Sequence, residues 1–181
     1  MLSDKLDIAS MTDKNTGKMP DIIEIAIGMK AMVMLNIATE SDLANGTCGT
    51  IEDIILDPQE HNPTLDEDNI VDLQYPPALI IFRPFQGENT PTFEGLSHGL
   101  LLIVPTEVSF LVKKKHRPSY TIYRHQIALT TAYSFTHHKA QGQGLDYLIV
   151  DLADPPKHVL DSFHAYVALS HSKGRETIRI L

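Results

Sequence analysis

The run Thr136-His137-His138-Lys139-Ala140-Gln141-Gly142-Gln143-Gly144-Leu145 concentrates hydrogen-bond donors around two glycines. His138, Lys139 and Gln141 are side chains that can meet a phosphate or a nucleic-acid strand. Gly142 beside them has no Cβ, so backbone amides there can approach an anion closely. The run passes directly into Asp146-Tyr147-Leu148-Ile149-Val150-Asp151-Leu152, apolar and ending in a carboxylate. That order, polar loop or short helix and then buried strand, is the layout of a nucleotide enzyme. An ordinary polar loop capping a helix has the same composition, and the segment by itself does not separate the two.

Other chemistry finds less support. His137, His138, His158, His164 and His171 lie close in sequence. No pair forms H-x-x-x-H on a helix with a nearby catalytic glutamate, and adjacent His137 and His138 diverge, so no metal site is expected. Cys48 is the single cysteine, which excludes an intramolecular disulfide and any multi-cysteine zinc site and points to a reducing compartment.

The 181 residues are 43% hydrophobic and 21% charged, ordinary globular composition with room for one or two small cores. The formal charge of −8 means that any surface for a polyanion must be local. Three basic spots qualify: Lys113-Lys114-Lys115-His116-Arg117, Arg124-His125 and His137-His138-Lys139. The first is equally the solvated tip of a hairpin. No apolar run is long enough to span a bilayer and no signal peptide is visible, so the expectation is an intracellular chain, nuclear in a eukaryote, with no membrane partner.

The elements that must position these groups fall into two patterns. Residues 1–20 read as a flexible start. From 21 to 125, short β-branched runs are expected as strands at Asp21–Ile27, Ala31–Leu35, Thr50–Ile55, Ala78–Phe82, Leu100–Val104, Val108–Val112 and Tyr120–Ile122, with a turn at Asn45-Gly46. Long loops at 57–77 and 84–98 interrupt them. Six or so strands without helical period suggest a small β-barrel. From 126 to 181 the pattern is α/β: a strand at Ile127–Thr131, another at Leu145–Leu152, a helix at Val159–Ser170 stopping near Gly174, and a strand at Thr177–Leu181. The helix carries Leu160, Phe163, Tyr166, Val167 and Leu169 at helical spacing, as a packing face would.

The Thr136–Leu145 run resembles T-x-H-K-[SA]-Q-G-x-T-L, motif V of superfamily-one DNA helicases of the RecD and PIF type, which include the helicase of Helitron transposons. Downstream, Ala165-Tyr166-Val167-Ala168-Leu169-Ser170-His171-Ser172-Lys173 resembles that family's motif VI, Y-V-A-L-S-R-A-R. Upstream, Gly28–Leu35 and Leu43–Thr50 resemble its G-M-x-V-M-L-x-x-N and L-x-N-G-T-x-G-x-V signatures. The resemblance runs from about Pro20 to Leu181, with a poorly matching middle.

The resemblance implies a fold of partial RecA-like parallel sheet, the second motor domain of a P-loop NTPase, carrying a small Src-homology-like barrel as an insertion. It implies that Thr136 and His138 lie near single-stranded DNA, and that Lys139, Gln141 and Gly142 couple that contact to the ATP phosphates. His171 stands where the family has an arginine finger, and Lys173 at a second basic position. Loss of such a finger costs about a thousandfold or more in turnover, and a histidine cannot make the guanidinium fork. Tyr166 and Ser170 are retained, as ATP-proximal residues or, for Tyr166, equally as helix packing. Two further departures are His137, where an apolar residue is usual, and Gly144 in place of threonine.

No G-x-x-x-x-G-K-[ST] occurs, and no Walker-B strand precedes the barrel. Asp151 imitates one but follows motif V, as a strand end does. The expectation is a C-terminal helicase piece, silent alone, that uses ATP and Mg2+ only when a P-loop-bearing half is supplied and that binds single-stranded DNA weakly. The rival is a stand-alone nucleic-acid-binding or scaffold module using the barrel and Lys113, Lys114 and Lys115.

Overall fold

The structure is a computed structural model that describes residues 20, 22–41, 43–61, 70–85, 93–114, 117–134, 136, 144–153 and 160–181, with the backbone alone at 113, 114, 117 and 118. In chain order the strands are β1 (Lys30–Val33), β2 (Cys48–Ile55), β3 (Leu79–Pro84), β4 (Leu101–Ile103), β5 (Thr106–Lys114), β6 (Arg117–Gln126), β7 (Leu129–Thr131), β8 (Leu148–Val150) and β9 (Ile178–Ile180). One described α-helix, α1 (Ser162–Ser170), and single 3-10 turns at Thr39–Ser41 and Arg175–Thr177 complete the elements. The chain divides into two units, Met1–Tyr133 and Ser134–Leu181.

In the first unit, alternating apolar residues make one sheet face dry. Strands pair antiparallel in the order β4-β3-β2-β1-β7. Ile51 lies opposite Phe82 and Phe82 opposite Leu101, while Ile80 faces Ile103 and Val33 faces Leu129. All of these are buried, and Ala31, Leu43 and Ile127 join them in the core.

Two glycines of the L-x-N-G-T-x-G signature explain why that sequence forms this corner. Gly46 has φ +97° in the turn that Thr47 closes by donating to the Ala44 carbonyl (3.0 Å). Gly49 sits where a Cβ would come within 2.5 Å of Phe82 Cζ and 2.3 Å of the Arg83 carbonyl oxygen. Both positions therefore serve turn and packing geometry.

β5 and β6 form a separate antiparallel hairpin, in register from Thr106↔Gln126 to Lys114↔Arg117. Phe110 and Val112 are buried on one side of it, while Leu111 and Tyr123 are exposed on the other. Most of the strands expected for a barrel are thus found, as this sheet and this hairpin.

In the second unit β8 and β9 are parallel, with Leu148↔Ile178 and Val150↔Ile180, and α1 lies between them in sequence. Parallel neighbours need such a crossover.

Three expectations change. Residues 22–26 form no strand: the turn at Ile27-Gly28, with Gly28 at φ +82°, takes the chain off the β2 ladder, so their alternation finds no partner. Ile127–Thr131 yields a strand at β7, but it pairs with β1 rather than opening the α/β part. The helix stops at Ser170 with His171 as its C-cap, and Gly174, whose backbone is extended, precedes the next 3-10 turn instead.

Candidate nucleotide and nucleic-acid site

Asp161 starts α1. Its side chain accepts the His164 amide hydrogen (2.8 Å), satisfying one of the helix's unpaired first-turn donors. That backbone hydrogen bond, with the His164 ring against the same carboxylate oxygen, holds the Asp161 carboxyl below its usual range. At the other end the Ser170 hydroxyl donates to the Val167 carbonyl (2.7 Å) and the Ser172 amide to that of Leu169 (3.2 Å).

The chain beyond the helix is then stitched to the end of the Thr136–Leu145 run. The Leu145 amide donates to the His171 carbonyl (2.8 Å), and Leu145 and Ser172 form a parallel bridge. One residue further along each segment, Lys173 Nζ lies 2.6 Å from Asp146 Oδ1, both side chains mostly exposed. Ser172 and Thr177 hydroxyls both donate to the Gly174 carbonyl (2.8 and 3.0 Å), shaping the turn into β9. The Leu181 amide closes the pair of strands on the Val150 carbonyl (2.9 Å).

This arrangement sorts the candidate residues. His171 and Lys173 are brought beside Leu145 and Asp146, but they differ in access: His171 is only 7% exposed, whereas Lys173 faces solvent. Tyr166 is 71% exposed on α1, so it does not pack in the way an apolar helix face would, and Phe163 is exposed beside it. Ser170 is exposed and turned back on its own helix. Thr136 is exposed. His138, Lys139, Gln141 and Gly142 lie outside the described residues, as does Lys115.

Lys113 and Lys114 end β5 and Arg117 begins β6, with Lys114 opposite Arg117 in the register. Arg124 is not a free surface cation: its guanidinium donates to the Pro20 carbonyl (3.3 Å) and lies over the Phe110 ring (5.4 Å). Asp151 is exposed just after β8, and its carboxylate accepts the Ala153 amide (2.9 Å), a strand-end turn. Asp146 was not singled out by sequence. Its only signal is position, immediately after Leu145.

Known proteins resemble the chain over most of its length, across both units. No protein-family model matches the chain. An ATP-dependent DNA helicase, PIF7 of Trypanosoma brucei brucei, is 28% identical over 157 residues, 84% of this chain and 15% of that protein. The Pif1 helicase from Candida albicans superposes with a TM-score of 0.51 at 22% identity, over 94% of this chain and 36% of that one. The chain is similar to the C-terminal part of a PIF1-like helicase. Bacteroides Pif1 bound to ssDNA gives a TM-score of 0.52 at 16% identity, over 98% of this chain and 38% of that structure. At those identities the Pif1 structures establish the fold. The chain spans well under half the length of each PIF1-type protein it matches, and under a sixth of the trypanosome helicase.

Proposed function

We propose that this chain is a piece of the second motor domain of an ATP-dependent DNA helicase, carrying motifs V and VI and a small barrel insertion built from the β1–β4, β7 sheet and the β5–β6 hairpin. The observation that carries the reading is the link from Leu145 to His171, reinforced by Lys173 on Asp146. It joins Leu145, the end of the donor-rich run, to the end of α1, so that a strand bound at one and a phosphate at the other would be coupled through that link. His171, Lys173, Lys139, Gln141, Gly142, Tyr166 and Ser170 form the nucleotide side of this proposal. Thr136, His138, Lys113, Lys114 and Lys115 form the DNA side.

The sequence holds no P-loop, so β and γ phosphates and their Mg2+ have no cradle on this chain. ATP chemistry then requires a P-loop-bearing half, and DNA binding by the chain alone is weak and salt-dependent.

Hydrolysis assays test this. The purified chain should show no saturable ATP turnover, with or without single-stranded DNA, whereas a fusion to the P-loop-bearing part of a PIF1-type helicase should hydrolyse ATP in response to DNA. Saturable turnover by the chain alone would overturn the fragment reading. A fusion that binds ATP yet never turns it over would overturn the motor reading.

A further inference from the structure

Three departures from the motif patterns meet at one side chain. Gly144 stands where the motif V pattern has threonine, and His171 and Ser172 stand where motif VI has arginine and alanine. In the second unit all three lie against or beside Lys173. The Lys173 stem passes over Gly144, where an added Cβ would come 3.6 Å from Lys173 Cε and 3.9 Å from its Cγ. A threonine would bring two more heavy atoms into that space, so glycine keeps the path of the stem open.

The backbone at 173 is clasped from both sides. The Ser172 hydroxyl donates to the Gly174 carbonyl (2.8 Å) and accepts the Gly174 amide hydrogen (3.2 Å), bridging over Lys173. The Thr177 hydroxyl and amide both donate to the same carbonyl (3.0 and 3.2 Å). Alanine at 172 could make neither of the serine's bonds. Lys173 is therefore fixed at its root, while its ammonium stays in solvent with only the exposed Asp146 carboxylate against it. His171 is placed the opposite way: it is buried, and its ring reaches a ligand only by leaving its packing.

We propose that Lys173, rather than residue 171, is the cation of this chain that meets the terminal phosphate of a nucleoside triphosphate, and that Ser172 and Gly144 are its positioning residues. An ammonium binds phosphate as a point charge and needs no guanidinium fork, so a fixed root and an open path for the stem are what it requires. In hydrolysis the oxygen of water bonds to the γ-phosphorus as the bond to the β-phosphate oxygen breaks. The electron pair of that bond leaves with the diphosphate, and the proton of the water passes to solvent. Lys173 transfers no proton; its charge lowers the energy of the phosphoryl oxygens while the bonds exchange. The proposal rests on the motor reading above and deepens it by naming the residue that bears the charge and the two that aim it.

Two measurements test it. In the P-loop fusion, Lys173→Gln should lower kcat about a hundredfold, the loss typical of one preorganised donor, and Lys173→Arg should restore most of it. Ser172→Ala and Gly144→Thr should each lower kcat severalfold with little change in KM, as loss of aim does, and Ser172→Thr should recover the rate because it keeps the hydroxyl. Arg175→Ala, at the exposed start of the following 3-10 turn, is the control and should leave kcat unchanged. In the full chain alone, acylation of lysines by an N-hydroxysuccinimide ester, read by peptide mass spectrometry, should be slowed by millimolar tripolyphosphate more at Lys173 than at Lys30. Asp146→Asn should strengthen that protection by removing the competing carboxylate.

An active fusion indifferent to Lys173→Gln, or one disabled by Arg175→Ala instead, would overturn this assignment and leave the motor reading standing. Equal protection of Lys173 and Lys30 would also overturn it. A silent parent fusion whose chain still shows selective protection of Lys173 would reject the motor reading and uphold Lys173 as the phosphate ligand.

Discussion

Lys173 Nζ rests 2.6 Å from Asp146 Oδ1, so the basic position that follows α1 is held by a carboxylate from the segment that precedes β8. Both side chains are largely solvent-exposed, and an exposed pair of this kind contributes little, about 0 to 1 kcal/mol. Lys173 can therefore be drawn from Asp146 to a phosphate at small cost. Asp146→Asn should leave the urea midpoint of the chain almost unchanged. In the P-loop fusion it should lower the KM for ATP or leave it unaltered; a large rise in KM would show that Asp146 positions Lys173 rather than competing for it.

His171 is buried, and this sets two opposed expectations for a single substitution. If position 171 acts as the finger, His171→Arg in the fusion should raise turnover at least tenfold, equivalent to about 1.4 kcal/mol of transition-state stabilisation. In the isolated chain the longer guanidinium must displace packed neighbours, which costs roughly 1–3 kcal/mol. Steady-state ATPase rates and chemical denaturation read the two effects separately. An unchanged rate in a fusion that binds ATP would leave His171 as a helix-terminal residue only.

The Asp161 cap predicts a pH dependence at the start of α1. Its carboxyl is held below its usual range, chiefly by the His164 backbone hydrogen bond. A depressed carboxyl stabilises the fold above its unfolded pKa, and that contribution fades as pH falls through the folded pKa. Asp161→Ala should lower stability at neutral pH, and the difference from the parent should close in strong acid. Asp161→Asn, which also caps helices, should preserve the helix while removing this acid dependence. Circular dichroism of parent and variants across an acid titration checks both.

Gly49 and Phe82 make the sharpest packing prediction. A methyl group at position 49 meets both the Phe82 ring and the backbone oxygen of Arg83, and the backbone atom cannot rotate away. Gly49→Ala should cost roughly 1–3 kcal/mol in equilibrium unfolding. Gly95→Ala offers a contrast, because its added Cβ meets no neighbour and its penalty comes from φ +83° alone.

Much of the architecture could be read from residue type because its causes are local. Short runs rich in branched apolar and aromatic residues mark β2, β3 and β5, and Gly46 of Asn45-Gly46 supplies the positive φ that the corner requires. The order of the donor-rich run, strand and helix likewise follows from composition along the chain. Partner choice is not local. Residues 22–26 alternate as a strand does, yet the turn at Gly28 leaves them no edge, while β7 supplies the neighbour that β1 lacks on its other side. Asp146 meets Lys173 from 27 positions away, and Tyr133 reaches Lys30 across 103. Burial of His171 and exposure of Tyr166 arise the same way: spacing puts both on or beside one helix, but what covers each depends on which segments return to it, and that is set only when the whole chain is packed.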